Sequence, residues 1–388
     1  MIGVGAGRST PGRSLRATER ECWIALSLVP GIGPAGFAHL VRRHGSAAAA
    51  WEAGPDALDD IGRLGPDARD GLAALRREGA RTVVRRLTER TRDAGGQIVT
   101  GLDDDYPGAL RTLDPRPATL FVAGDGTALA ERAVALVGTR RASGYGLATA
   151  TDLADELARA GIAVVSGLAL GVDGAAHRAA VNAGGRTVAV LPSPLNRIYP
   201  PRHRGLARDI VRGGGVLISE VAIGASVGKP DFARRNRIIA GLSEAVVVVE
   251  APDRSGALLT ASAALAIGRE LYAVPGQIDA QGARGCNRLI ADHQAVMVTS
   301  VGALLQQIGL ALGRKPPAVS ALSEVEAQVL QRLLDRSGSI EELVDRTHQP
   351  PASVASALTL LEARGLVNTF GGATFHPTLG ARRLAGLI

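Results

Sequence analysis

Phe232 to Ser243 reads FARRNRIIAGLS, and Ala245 to Glu250 follows as AVVVVE. The second stretch is apolar almost throughout, as befits a strand buried on both faces of a parallel sheet. The first carries Arg234, Arg235 and Arg237 on a basic turn and helix that lead into that strand. Several guanidiniums then stand at one rim of the sheet. Each offers a planar fork of donors and a permanent charge, which suits phosphate. A solvated basic helix face has the same spacing, but two other phosphate-type loops fall in the same array and favour the rim reading.

Outward from this point, strands and helices alternate. AVALVG (133–138), IAVVSG (162–167), TVAVLP (187–192), GVLISE (215–220) and ELYAVPG (270–276) read as strands. LATATDLADELARAG, VDGAAHRAAVNAGG, RGLARDIVRGG and LLTASAALAIG read as the helices between them. Apolar strands between amphipathic helices predict an α/β, Rossmann-like, doubly wound and mainly parallel sheet over 95–312. The lead-in from Gly95, broken by Pro, Gly and Asp, predicts one or two further strands.

Residues 17–94 read as a helical domain of helix-hairpin-helix or SAM-like type. LSLVPGIGPAGFAHLVRRHG (26–45) has the form helix, Gly-Ile-Gly turn, helix. Such a turn can offer backbone N–H groups to phosphate or can simply pack. Residues 1–16 read as a disordered tail without an apolar signal core. A Pro-rich linker spans 313–322, and 323–388 reads as a winged helix with a small hairpin around Gly371 and Gly372. Its candidate recognition helix, PASVASALTLLEARG, is short of Lys and Arg, so an accessory role is as good a reading as duplex recognition.

The chain of 388 residues has a formal charge of +7 and is 46% hydrophobic. Its pI is about 10.2 and its mean hydropathy +0.13. The charge favours an anionic partner, nucleic acid first. Aromatic content of 3% argues against a recognition surface tiled with stacking rings. Cys22 and Cys286 form no CxxC pair, which implies neither disulfide framework nor zinc site and suits a reducing cytoplasm. No apolar run reaches membrane-spanning length.

Ligands of parallel sheets bind beyond the carboxyl ends of the strands. Four such ends are informative. VGTRRASGYG (137–146) offers Gly138 for close backbone turning, Thr139 and Arg140 for an anionic oxygen, and Gly144 and Gly146 at a helix N-terminus. It is not GxGxxG, and no acidic residue is placed for a ribose, which disfavours dinucleotide binding. SGLALGVDGAAHRAA (166–180) offers Gly167, with Asp173 and His177 at i, i+4. That pair suggests acid–base work, or more simply a helix-start Asp with a His packed beneath it; the simpler reading is preferred. LPSPLNRIYPPRHR (191–204) carries Arg197, Tyr199, Arg202 and Arg204. GKPDFARRNR (228–237) brings Lys229 and Phe232 to the arginines, so that a cation and a ring can hold a phosphate and a base together. No GxSxG, Walker motif, metal-ligand cluster or close carboxylate pair is present, so no catalytic residue, cofactor or metal is assigned.

These loops, with VVEAPDRSGALLTASAALAIGRELYAVPG and RGCNRLIADH, closely resemble the DNA-processing protein A family (DprA/Smf), in order from about Gly101 to Leu305. The resemblance implies a cytoplasmic, non-enzymatic, single-stranded-DNA-binding recombination mediator. It implies protection of incoming DNA during natural transformation, loading of the RecA recombinase, and a homodimer through the Rossmann-like domain, whose dimerisation region resembles Arg284 to Asp292. Carried over residue by residue, Gly138, Thr139 and Arg140 form the phosphate pocket, Lys229 is a further contact and Phe232 a base-stacking ring. Arg234, Arg235, Asn236 and Arg237 match the motif, either as DNA contacts or as salt bridges that hold the domain together. The chain departs from the pattern at Leu170, where Arg is usual, at Pro192 and Pro194, where glycines are usual, and through VAIGASVGKPD. Two alternatives stay open: a nucleotide-binding or nucleotide-hydrolysing Rossmann-like enzyme, and a winged-helix regulator of duplex DNA.

Overall fold

The computed structural model describes residues 17–59, 61, 66–308, 322–364, 366–370, 374–377 and 381. The N-terminal tail, nearly all of the linker and the tip of the winged-helix hairpin lie outside them. The chain divides into two compact units.

The first unit comprises residues up to Arg90 together with 100–104 and 114–119. It contains α1 (Glu19–Ser27), α2 (Pro34–His44), α3 (Ala47–Ala53), α4 (Pro66–Glu78) and most of α5 (Ala80–Asp93). Thr18 and Glu21 close a capping box at the start of α1. Between α1 and α2, Gly31 takes φ +77°, the left-handed region that glycine enters without steric cost. Trp23 and Trp51 are buried, as core residues. The two later segments belong to this unit through side chains: Trp23 Nε1 donates to Ala118 O at 2.8 Å, and Arg20 pairs with Asp103 at 2.7 Å.

The second unit is built on one nine-stranded sheet. Its strands are β1 (Gln97–Thr100), β2 (Thr119–Gly124), β3 (Ala133–Gly138), β4 (Ala163–Ser166), β5 (Thr187–Leu191), β6 (Val216–Ser219), β7 (Ala245–Glu250), β8 (Glu270–Ala273) and β9 (Val296–Met297). The order is β1-β2-β6-β5-β4-β3-β7-β8-β9. From β6 to β9 all pairs are parallel, and β2 runs antiparallel to β6. The connecting helices are α6 (Gly144–Arg159), α7 (Val172–Asn182), α8 (Arg204–Arg212), α9 (Lys229–Leu242) and α10 (Gly256–Ala266). Two helices that the sequence reading left unassigned, α11 (Arg284–Ala291) and α12 (Val301–Gln307), complete the layers.

Side chains alternate across a strand, so each strand feeds two cores. Ala135, Val137, Val246 and Val248 pack with Ile238, Ile239 and Leu242 of α9 and Ala261 of α10. Val134, Leu136, Val247 and Val249 pack with Leu153 and Leu157 of α6 and Ala176 of α7. Both faces are covered, which is why the strands read as unbroken apolar runs. Each fully buried Val or Leu contributes about 1.5–3 kcal/mol.

The winged helix has its own core, centred on Val329, Leu333, Leu343, Val354, Leu358 and Leu361. Those residues come from α13 (Glu324–Asp335), α14 (Ile340–Thr347) and α15 (Pro351–Ala363); β10 (Val367–Phe370) and β11 (Thr374–Pro377) pair antiparallel beside them. Capping boxes at Ser323–Glu326 and Ser339–Glu342 start α13 and α14. No helix among the described residues is long and apolar enough to cross a membrane.

Candidate nucleic-acid interface

The chain runs from β3 through β4 and β5 to β6 on one side, then returns to place β7 on the other side of β3. This order reversal opens the crevice in which ligands of such sheets usually sit. Here that crevice is filled from within. The Glu250 carboxylate, at the end of β7, accepts from Ser143 N at 3.0 Å and Ser143 Oγ at 2.8 Å. A Cβ on Gly146 would lie 1.8 Å from Glu250 Oε2. The α6 N-terminus, expected from sequence to receive an external anion through Gly144, is therefore satisfied by an internal one. Gly144 is the first residue of α6, beside Ser143.

The open concavity lies one step away, over the ends of β3, β4 and β5. It is lined by Arg140, Gly167, Leu170, Pro192, Tyr199 and Phe232 among others, with Arg235 at its base. The loop carrying Arg140 is stapled on both sides. Thr139 N donates to Glu250 O at 2.7 Å, and Thr139 O accepts from Val172 N at 3.3 Å. Gly138 packs so closely that a Cβ would meet Val172 Cγ2 at 2.4 Å. Arg140 is exposed on this fixed loop, with its Cζ 5.5 Å from the centre of the Phe232 ring. Tyr199 meets the same ring edge-on, at 5.4 Å and 84°. Phe232 is thus held between a cation and a second ring. Both contact types are favourable through the ring quadrupole.

The arginine cluster divides. Successive helical residues point about 100° apart, so neighbours in sequence face different surroundings. Arg234 is exposed, with Asp231 at 3.5 Å. Arg235 is 8% exposed and points inward. It donates to Gly167 O and, at 2.6 Å, to Val190 O, tying the ends of β4 and β5 together. Burial pulls its guanidinium down to about 10, Asp173 pulls the other way, and Arg140 adds to the fall. At neutral pH it remains a cation. Asn236 is buried, with Nδ2 3.4 Å from Gly256 O. Arg237 pairs with Glu220 at 2.6 Å. Lys229 is exposed at the first turn of α9, where Gly228 N donates to Asp231 Oδ2 at 2.8 Å.

Asp173 and His177 are locked inside. Asp173 accepts from Gly167 N at 3.1 Å and Ala169 N at 3.3 Å. Burial raises its carboxyl above the ordinary value, against the Arg235 charge and those N–H donors. His177 is fully buried, with Nδ1 2.7 Å from Thr187 Oγ1. Burial, aided by His203 and Arg235, pushes it down to about 3. His203 in turn places Nδ1 2.9 Å from Leu168 O.

Tyr199, noted in sequence only as part of a rigid loop, belongs to the concavity and is 44% exposed. Of the positions where the chain departs from the family pattern, Leu170 and Pro192 line it and Pro194 does not. The enclosed space is about 40 Å³. Pockets that enclose a small ligand run to about 300–1,000 Å³, well above this shallow concavity.

Comparison with known proteins agrees with this architecture. The family model "DNA recombination-mediator protein A" matches residues 97–309, a DprA winged helix domain 313–373, and a DprA-like N-terminal HHH domain 17–75. A Mycobacterium tuberculosis protein carrying the DprA name is 36% identical over 377 residues, spanning 92% of this chain and 91% of that one. The crystal structure of DNA processing protein A from Streptococcus pneumoniae superposes with a TM-score of 0.64 at 28% identity, covering 76% of this chain and all of that one (100%). A Helicobacter pylori DNA processing protein A, whose structure is described in terms of its single-stranded DNA binding mode, gives 0.51 at 30% identity, covering 55% and 97%. With its α/β domain, N-terminal helices and winged helix all matched in order, the chain belongs to the DNA recombination-mediator protein A (DprA/Smf) family.

Proposed function

We propose that this chain is a single-stranded-DNA-binding recombination mediator. It protects incoming DNA during natural transformation and recombination and loads the RecA recombinase onto it, working in the cytoplasm as a homodimer through its α/β domain. The observation that carries the reading is the Arg140–Phe232–Tyr199 cluster above the buried Arg235 cation. A phosphate neutralises the converging guanidiniums, and a base stacks on exposed aromatic surface, a sequence-tolerant mode because every base has a π-face. Gly138, Thr139 and Gly167 shape this site. Lys229 and Arg234 extend its charge, while Arg235, Asn236 and Arg237 act by holding its frame. The H. pylori relative, described as binding single-stranded DNA, supports the same reading.

Turnover is disfavoured. A general base needs reach to substrate and a pKa near the working pH. His177 has neither, and Asp173 spends its oxygen on backbone N–H groups. The small concavity also fits poorly with a mononucleotide-engulfing enzyme. Duplex regulation through the winged helix draws no support from α15, whose sequence PASVASALTLLEA holds no basic residue.

Fluorescence anisotropy with labelled single-stranded and duplex oligonucleotides, at low and moderate salt, tests the proposal. The expected result is single-strand preference with a steep salt slope, since phosphate contacts release counterions. Arg140→Glu and Lys229→Glu should each remove most of the affinity. Unchanged binding in both variants would sink the site.

A further inference from the structure

The loop after β5 and the helix that follows carry more charge than the cluster uses. Between residues 192 and 215 stand five arginines (197, 202, 204, 208 and 212) and one carboxylate, Asp209. All five arginines are exposed, as is Arg178 on the neighbouring α7. Elsewhere in the same unit several surface arginines are met by acids, although Arg141, Arg254 and Arg284 are also exposed without an ion pair among the described residues. Arg132 pairs with Glu244, Arg159 with Asp155, Arg186 with Asp125 and Glu131, and Arg288 with Asp253. Among the described residues none of these six has such a partner, and Asp209, also exposed, bridges to none of them.

Their arrangement is directional. Arg204, Arg208 and Arg212 recur at i, i+4 and i+8, which places them in one row along α8. Leu206, Ala207 and Ile210 hold the opposite side of the helix against the sheet. His203, bonded to Leu168 O, pins the start of α8 to the loop that floors the concavity, and a Cβ on Gly174 would lie 2.5 Å from its ring. Arg178 is one turn beyond Gly174 on that side of α7. Because α8 returns from the carboxyl end of β5 to the start of β6, the row leads away from Tyr199 down the flank of the domain.

We infer that this row is a phosphate track that takes the single strand onward from the aromatic cluster; the inference rests on the single-strand reading above. Four residues of helix advance about 6 Å. That step exceeds the roughly 3.4 Å rise per nucleotide of a strand in B-form duplex, and it suits the wider phosphate spacing of an unstacked, extended strand. Guanidiniums without carboxylate partners are available to exchange solvent for phosphate oxygens without first breaking an ion pair.

The test uses the full chain and two labelled oligothymidylates, one just long enough to occupy the aromatic cluster and one several-fold longer. The variant is Arg204→Gln/Arg208→Gln/Arg212→Gln, which keeps helix propensity nearly constant. It should bind the short strand like the parent and the long strand more weakly. Each lost contact removes about 0.7 from the slope of log affinity against log salt, so the slope for the long strand should fall by about 2. Over a fourfold rise in salt the parent should then lose about twenty-fold more affinity than the variant. Retained short-strand binding shows that the variant is folded. Removing the same charge from helices of the other unit, with Arg77→Gln/Arg85→Gln/Arg90→Gln, should leave the slope unchanged. A parent that binds both strands, with the α8 variant matching it at every length and salt, overturns the track alone. So does an equal fall in slope with the control variant. A parent that binds neither strand overturns the single-strand reading, and the track with it.

Discussion

At the scale of single residues, the site divides into side chains that reach outward and side chains that hold them. Tyr199 reaches outward, and its ring, not its hydroxyl, meets Phe232. Tyr199→Phe should leave single-strand affinity nearly unchanged, whereas Tyr199→Ala should cost about 1–3 kcal/mol, the usual range for a base-stacking ring. Quenching of 2-aminopurine placed in the oligonucleotide reads the stacking directly. His177 belongs to the holding set. Its folded-state pKa of about 3 lies below the 6.5 of a free imidazole. The unfolded chain therefore binds a proton that the native chain refuses. The contribution of neutral His177 is complete above 6.5 and is lost progressively as pH falls from 6.5 towards 3. Urea midpoints at about pH 7 and about pH 5 should show this fall, and His177→Gln should show less of it. An equal fall in parent and variant would remove His177 from the account.

At the scale of elements, the decisive piece is α9 with the strand ends it bridges. Arg235 can reach Gly167 O and Val190 O only because residue 167 has no side chain: a Cβ there would lie 2.0 Å from its Nη1. Gly167→Ala should cost about 1–3 kcal/mol by overpacking and should also weaken DNA binding by displacing the floor. Gly126→Ala, in open space, should stay within about 0.5 kcal/mol. Arg237 serves the same element differently. Its partner Glu220 is shielded, and burial raises the Glu220 carboxyl despite the Arg237 charge. Arg237→Ala leaves that carboxylate without its donor, and a loss of about 2 kcal/mol is expected in urea melts. β3, β7 and α6 were legible in sequence because unbroken apolar runs, a helical hydrophobic period and glycine stops are local signals. The two-residue β9 was not, since so short a strand has no period to read. The split of Arg234, Arg235 and Arg237 between solvent and interior was equally hidden, because RRNR has the same composition whichever way the helix rolls.

At the scale of the whole molecule, separate hydrophobic clusters among the described residues serve the N-terminal helices, the winged helix and, as a facing pair, the sheet. The winged-helix core lends no residue to either sheet core. A chain truncated after residue 308 should therefore keep the cooperative unfolding of the α/β domain and most of its single-strand affinity. Comparing its denaturant midpoint and its oligonucleotide binding with those of the full chain checks this, and a collapse of either would give the winged helix a structural or DNA-contacting share. The formal charge of +7 favours DNA in bulk, but bulk charge does not say where the strand lies. That is set by which arginines face carboxylates and which face water.

Local chemistry was enough to identify the alternating strands and helices, the helical N-terminus, the winged helix and the loops at the strand ends. Each rests on hydrophobic period, glycine placement and residue type within a few neighbouring positions. Assembly alone decided that Glu250 fills the α6 N-terminus, that Arg235 is a buried tie instead of a surface cation, and that Tyr199 stands against Phe232. These are encounters between residues 33 to 107 positions apart. Nothing in a window of sequence encodes them, because they depend on which strand is laid beside which before any side chain can meet its partner.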